Sequence, residues 1–197
     1  MSRKNSKIHI LDAALRLITR RGGADVTMGD IARAARLSRQ AVYLHFADRG
    51  ELFLALVRHV DDKMGVEEEV RKIVEAPTGI EAVRAMVSLQ ARRNPDLWAV
   101  ARAMDAVRRS DDAVERGWQD RLRYRLEGCR QMIVRIEKEA ALRPGLDPAL
   151  AADLLWTITS LRTWEDLVIQ RQWTAAQYEE RVFGLLVEAL TVRGPER

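Results

Sequence analysis

Residues 27–46 read TMGDIARAARLSRQAVYLHF, and this stretch decides the fold of the first part of the chain. Thr27 and Asp30 form a capping-box pattern that starts one short helix, and Ser38 is suited to cap a second. Two short, capped helices separated by a tight turn predict a helix-turn-helix.

The second of these helices has two chemically different faces. Val42 and Phe46 lie four residues apart and predict an inner face that packs on the rest of the domain. Arg39 and Gln40 lie on other faces, where Arg can pair with guanine and Gln with adenine through two hydrogen bonds each. We therefore predict that this helix enters the major groove of DNA and that Arg39 and Gln40 contact bases.

The residues around this motif resemble the tetracycline-repressor-like (TetR) family of transcriptional regulators. The resemblance covers residues 8–54 and includes an apolar first helix, a Gly-containing loop and a Tyr-x-His-Phe segment followed by a basic residue. The matching positions are Ala13, Ala14, Gly22, Gly23, Val26, Thr27, Ile31, Ala32, Ala35, Ser38, Tyr43, His45, Phe46, Arg49, Leu52 and Phe53.

The resemblance implies that four side chains contact the DNA backbone. These residues supply hydroxyl, imidazole and guanidinium groups, which are ordinary partners of phosphate. Together with the cap and the outer face of the second helix, they form the predicted DNA-binding surface. Its residues are Thr27, Ser38, Arg39, Gln40, Tyr43, Leu44, His45 and Arg49, of which Thr27, Tyr43, His45 and Arg49 are the predicted backbone contacts.

Two positions depart from the usual pattern. Arg36 occupies a turn position where the family usually has Gly, so we expect Arg36 to adopt a positive φ at some energetic cost. Asp48 and Glu51 form a capping-box pattern that starts a fourth helix. Gly50 falls in the first turn of this helix, where Gly costs up to about 1 kcal/mol relative to Ala.

Helical spacing of apolar residues continues along the chain and predicts an all-α fold of about nine helices. The first helix is predicted over about 6–21, ending at Gly22-Gly23. Further starts are predicted near Thr78, Asn94, Asp112, Asp147 and Thr174. We predict a helix-turn-helix domain over 1–47 and a helical effector-binding and dimerisation domain over 48–197.

Composition and charge indicate the kind of partner and the cell compartment of the protein. Residues 1–60 hold 11 Lys and Arg against 5 Asp and Glu, whereas residues 61–197 hold 22 against 24. A basic first third favours binding to a polyanion. The sequence contains no run of 18 apolar residues, as a membrane span would require. Its one cysteine, Cys129, is interpreted as a buried apolar residue. These features favour a cytoplasmic protein that has no membrane partner.

The sequence predicts neither a cofactor nor a metal. His9 and His59 stand singly on amphipathic helices, away from any spacing that is typical of metal ligands. Phosphate loops, nucleophile elbows and Cys-His pairs are missing from the sequence, so we do not expect an enzyme.

Large aromatic and thioether side chains are concentrated after residue 60 and suit an apolar pocket, although at helical spacing they also suit a plain core. If a pocket exists, we expect a small apolar or aromatic effector in it. The candidate ligand-binding residues are Met86, Trp98, Ala101, Met104, Trp118, Met132 and Trp156.

A single reading helix covers too few base pairs to select a site, so a homodimer on a palindromic operator is expected. The last two predicted helices are strongly apolar and could form a four-helix interface or close the core of the monomer. The candidate interface residues are Leu154, Ile158, Leu161, Val182, Leu185, Leu186 and Ala189.

The sequence therefore predicts a dimeric transcriptional regulator, a repressor that occupies a double-stranded DNA operator and is released by a small molecule. The alternative is a nonspecific or architectural DNA binder without an effector, whose affinity would come from phosphate contacts alone.

Overall fold

The computed structural model describes residues 3–21 and 26–192. In these ranges it contains ten α-helices and one π-helical segment, and no strand beyond an isolated bridge between Leu142 and Thr191. The predicted all-α class is confirmed. The helices are α1 Arg3–Arg20, α2 Met28–Ala34, α3 Arg39–Tyr43, α4 Arg49–Lys63, α5 Val66–Glu75, α6 Gly79–Arg108, α7 Asp112–Lys138, α8 Pro148–Ile158, α9 Leu161–Trp164 and α10 Ala175–Leu190, with the π-helix at Glu165–Gln170.

Most helix starts agree with the sequence-based prediction because their caps are local. Thr27 and Thr174 both close capping boxes, at the starts of α2 and α10. The Asp147 carboxylate accepts from the backbone N–H groups of Ala149 and Leu150 at the start of α8. The predicted end of the first helix at Gly22-Gly23 lies outside the described residues.

One predicted helix start is wrong. No helix starts at Asn94, because α6 continues through Pro95. Pro95 lacks an N–H, but the helix on either side of it presents buried residues such as Leu89 and Val100, and this packing outweighs the lost hydrogen bond. No start was predicted for α5, which begins at Val66 after Gly65 adopts a φ of 60°.

The chain divides into two compact units. Unit 1 comprises Met1–Gly65 and Pro95–Arg121, and unit 2 comprises Val66–Asn94 and Leu122–Arg197. The boundaries of these packing units differ from the predicted boundary after residue 47. That predicted boundary separates a DNA-binding domain from an effector-binding and dimerisation domain, and it stays a prediction.

The core of unit 1 joins the first four helices to the segment that contains the end of α6. Ile10, Ile31, Phe46, Leu56 and Met104 are all fully buried in one cluster. Asp12 of α1 links to α4 through hydrogen bonds from His59 at 2.8 Å and Lys63 at 3.0 Å. α1 and α4 are therefore linked by polar contacts beside the shared apolar cluster.

Unit 2 has its own core, built from α6, α7, α8 and α10. Val87, Ile133, Leu155, Tyr178 and Leu186 are fully buried or nearly so. The guanidinium of Arg135 on α7 donates to backbone carbonyls at the end of α5, including that of Val74 at 3.1 Å. Cations are favoured at helix C-termini, so this contact fixes the end of α5.

Candidate DNA-binding surface

The turn between α2 and α3 is held by backbone geometry and by one side chain of α1. Arg36 has a φ of 55°, as predicted, and the N–H of Leu37 donates to the carbonyl of Ala32 at 2.9 Å. The His9 Nε2 atom lies 2.9 Å from the carbonyl oxygen of Ala35. His9 thus has a structural partner inside the motif.

The inner and outer faces of α3 differ as the sequence predicts. Val42 and Phe46 are completely buried. Arg39 and Gln40 are exposed, as are Tyr43 at 44% and Leu44 at 74%. The helix therefore presents a polar and aromatic surface over an apolar base, as a helix that enters a groove requires.

Thr27 is engaged within its own capping box. Its hydroxyl donates to Oδ2 of Asp30 at 2.7 Å and accepts from the Asp30 N–H at 3.1 Å. Hydrogen bonds from Thr27 and Arg33 hold the pKa of Asp30 well below its usual range, with a further contribution from Arg21. Asp30 is thus a carboxylate that nearby donors keep ionised.

Arg39 lies close to the start of α2. A Cβ atom placed on Gly29 would lie 3.7 Å from Cδ of Arg39 and 3.7 Å from Oγ1 of Thr27. Thr27, Gly29, Ala32, Arg33, Leu37 and Arg39 line a shallow groove on this surface. Two basic side chains therefore border the junction of the two short helices.

His45 and Arg49 lie at the edge of the surface and are partly buried. The guanidinium of Arg49 lies 6.0 Å from the centre of the Phe53 ring. Gly50, the next residue, is buried, and a Cβ atom there would lie 3.0 Å from Val114 and 3.1 Å from both carboxylate oxygens of Asp111. Gly50 thus permits the close approach of the start of α7 to the first turn of α4, which offsets its poor helix propensity.

The seven candidate ligand-binding residues are not gathered in one unit. Trp98, Ala101, Met104 and Trp118 belong to unit 1, where Met104 is 1% exposed in the core. The other three belong to unit 2: Met86, Met132 and Trp156. Their role in ligand binding stays a prediction.

The candidate dimer residues differ sharply in exposure. Leu154 and Leu185 are 41% and 52% exposed, which is unusual for leucine side chains. Val182 and Leu186 are 3% and 0% exposed within one chain, so they belong to the chain's own core. The remaining candidates, Ile158, Leu161 and Ala189, are partly buried.

Sequence reasoning missed a polar cluster in unit 2 around Arg125. Its members are Gln90, Arg125, Cys129, Trp156 and Tyr178, from α6, α7, α8 and α10. One signal in the sequence could have found it. Arg125 occupies a position in the apolar stripe of α7 formed by Leu122, Cys129, Met132 and Ile136.

Within the described ranges, no three His, Cys, Asp or Glu side chains lie together as a metal site requires. None of the helices in residues 3–21 and 26–192 is long and apolar enough to cross a bilayer. Cys129 is 1% exposed, which confirms its interpretation as a buried residue.

The fold and this surface define a helix-turn-helix protein. The family model described as "Bacterial regulatory proteins, tetR family" matches residues 10–56. Over these residues the chain is similar to the N-terminal part of tetR-family regulators.

Two curated relatives each match part of the chain. The regulator AcrR of Shigella flexneri is 44% identical over 50 residues, which are 25% of this chain and 23% of AcrR. The repressor AcnR of Corynebacterium efficiens is 32% identical over 104 residues, which are 48% of this chain and 55% of AcnR. The chain thus spans about a quarter to about half the length of these relatives.

The fold is similar over nearly the whole chain to that of a crystal structure from Saccharomonospora viridis, solved in complex with choline. The TM-score is 0.80 at 19% identity, and the match covers 97% of this chain and all of the other. At this identity the comparison establishes the fold.

Proposed function

We propose that this chain is a sequence-specific transcriptional regulator that acts in the cytoplasm, binds a palindromic operator as a homodimer and represses until a small molecule releases it. The observation that carries the proposal is the exposed outer face of α3, with Arg39 and Gln40 above a fully buried Val42. This face lies within the segment that matches the tetR family.

Arg39 and Gln40 are the proposed base contacts, and the remaining residues of the surface position the helix. Tyr43, His45 and Arg49 contact phosphates. Thr27 can donate to a phosphate only if its hydroxyl turns away from Asp30. Binding therefore exchanges one hydrogen bond of the capping box for one with DNA.

Selection of bound duplexes from a random pool, at physiological salt, tests sequence readout. Wild type should enrich one palindrome, and the double variant Arg39→Ala, Gln40→Ala should lose or relax that preference. Arg130 and Gln131 form an exposed Arg-Gln pair on α7, so Arg130→Ala, Gln131→Ala is the matched control and should enrich the same palindrome.

Equal retention of all sequences by wild type would favour the alternative, a nonspecific binder whose affinity comes from phosphates. Arg49→Ala separates positioning from readout. It should weaken binding to all sequences uniformly and reduce the slope of affinity against salt by about 1. A change of the preferred base would assign Arg49 to readout instead.

The homodimer interface is proposed to include the exposed side chains of Leu154 and Leu185, with Ile158, Leu161 and Ala189 beside them. Leu185→Glu should convert the dimer to a monomer in sedimentation velocity. Val74 on α5 is 69% exposed, so Val74→Glu is the control and should leave the dimer intact. A dimer that persists in Leu185→Glu would place the interface elsewhere.

The effector is proposed to act through α4. Gly50 and Leu54 of α4 lie against the start of α7, where the side chain of Leu54 leaves no room for a Cβ atom on Gly117. In this proposal, a displacement of α7 moves α4 through this close packing, and α4 shifts the helix-turn-helix through the cluster that it shares with α1. An effector that shifts the population from 1:99 to 99:1 must prefer one state by about 5.5 kcal/mol.

A further inference from the structure

Arg125 is a partly buried positive charge in unit 2, and among the described residues no carboxylate lies beside it. Its guanidinium lies 4.9 Å from the centre of the Trp156 ring and donates from Nη2 to the backbone carbonyl of Trp156. Within residues 3–21 and 26–192, its contacts are all with uncharged groups. Removing such a charge from water is costly unless a counter-charge completes the site.

Two donors of this cluster are buried without a hydrogen-bond partner. Among the described residues, Nε of Arg125 and Nε1 of Trp156 are both buried N–H groups that meet no acceptor. Buried polar groups in native proteins are almost always paired, so two orphan donors on adjacent side chains indicate a missing acceptor. An acceptor that also carries negative charge would satisfy both donors and the guanidinium.

The other side chains of the cluster are uncharged. Tyr178 is fully buried, and its hydroxyl donates to Oε1 of Gln90 at 3.3 Å. Burial raises the pKa of Tyr178 to about 12 and that of Cys129 to about 11, although Arg125 lowers both. Neither group therefore neutralises Arg125 at physiological pH.

The helices that carry the cluster also bury apolar side chains. Buried residues of the same helices include Val87 on α6, Met132 and Ile133 on α7, and Leu155 on α8. These side chains suit a hydrocarbon body, while Arg125 and Trp156 suit an anionic head.

We infer that Arg125 and Trp156 form the recognition site for an organic acid with an apolar body, whose carboxylate accepts from Arg125 Nε and Trp156 Nε1. This inference rests on the proposed function in that the acid is the effector of the regulator. It also predicts the charge of the ligand: a carboxylate is bound, whereas a quaternary ammonium such as choline is repelled by the guanidinium.

A plain structural role would also explain part of the geometry. The Trp156 carbonyl lies in the last turn of α8, where carbonyls lack helical partners, and Arg125 supplies one donor to it. This role does not provide a hydrogen-bond acceptor for Nε of Arg125 or Nε1 of Trp156. It also predicts no preference for acids over neutral compounds of the same shape.

Matched acid and amide pairs distinguish these two roles. The probes are phenylacetate and phenylacetamide, 1-naphthylacetate and 1-naphthylacetamide, and decanoate and decanamide, with choline as the cation. At about 1 mM, at least one acid should raise the melting temperature by about 2–4 °C, while its amide and choline should not. If no acid stabilises the protein more than its own amide does, the inference is overturned.

Variants then locate the site. Arg125→Gln retains a donor for the Trp156 carbonyl but removes the charge, and it should weaken acid binding about 30-fold or more in calorimetric titration. Arg125→Lys should retain part of the affinity. Arg130→Gln, on the exposed side of the same helix, is the control and should bind as wild type.

Trp156→Phe provides a second test if Arg125→Gln does not fold. It keeps an aromatic ring and removes only the indole N–H, so the affinity for the acid should fall while the affinity for the amide does not change. Acid binding that is equal in wild type, Arg125→Gln and Trp156→Phe would place the acid elsewhere and refute the site.

The failure of this inference and the failure of the proposed function give different results. An acid that binds through Arg125 without changing the retention of operator DNA supports the site and removes its effector role. A regulator that enriches a palindrome but prefers no acid retains the proposed function and overturns the site.

Discussion

Replacing Gly79 by Ala tests the closest approach of two helices in unit 2. A Cβ atom on Gly79, the first residue of α6, would lie 2.6 Å from Cγ1 of Ile136, 2.8 Å from its backbone nitrogen and 3.1 Å from the carbonyl oxygen of Met132. Two of these three atoms belong to the backbone of α7 and cannot rotate away. The helices would have to separate until the two shorter contacts reach at least 3.0 Å.

The energies involved predict a net loss of stability. Alanine gains at most about 1 kcal/mol of helix propensity over glycine. Overpacking a core costs about 1–3 kcal/mol. Separation of the helices also disturbs the Gly79 N–H, which donates to both carboxylate oxygens of Glu139 at 3.0 Å, a contact worth about 1 kcal/mol. We expect Gly79→Ala to lower the free energy of unfolding by about 1–3 kcal/mol.

Urea unfolding followed by circular dichroism measures this difference, and Gly128→Ala is the control. Gly128 also lies in a helix, but a Cβ atom there would meet nothing within 4 Å. Gly128→Ala should therefore raise stability by up to about 1 kcal/mol. All variants must be compared at one protein concentration, since the proposed dimerisation would add to stability. If Gly79→Ala is as stable as Gly128→Ala, the proposed close contact of α6 with α7 does not exist.

Three further predictions concern unit 1 and the buried thiol. Arg36→Gly should raise stability by about 1 kcal/mol in thermal unfolding, because glycine adopts a φ of 55° without strain, and an unchanged melting temperature would argue against strain at this turn. Cys129 should not react with a thiol reagent at pH 8 until the protein unfolds, because burial raises its pKa to about 11, and rapid labelling of the native protein would contradict this. Burial raises the pKa of Asp12, but hydrogen bonds from His59 and Lys63 lower it more, so the net pKa lies below 3.8. Its contribution to stability is complete above that pH and is lost as pH falls through the folded value, so the deficit of Asp12→Asn at pH 6 should shrink at pH 3.

The sequence predicted those features that depend on neighbouring residues. Thr27 and Ser38 cap α2 and α3, and Val42 and Phe46 are buried, because caps and helix faces are set within one or two turns. The positive φ of Arg36 could be predicted because the family that the motif resembles usually has Gly at this turn position.

Features set by distant contacts could not be predicted in the same way. Pro95 continues a helix because of packing along α6. Leu186 is buried in the chain's own core, although the apolar face of α10 would equally suit contact with a second copy of the chain. Arg125 was missed because a charged residue is ordinarily assigned to the surface. Its burial depends on side chains of α8 and α10, which lie more than 30 residues away in sequence.

The π-helix at Glu165–Gln170 has a consequence for how this chain can vary in length. The N–H of Arg171 donates to the carbonyl of Asp166, five residues back, so the turn holds one residue more than an α-helical turn. In evolutionary terms, the segment has the form of a helix that has accepted a single insertion. Removing one residue here would restore the α repeat and rotate α9 by about 100° relative to the chain on the C-terminal side of the π-helix. Length variation between related chains is therefore easier to absorb at this point than within α6 or α7.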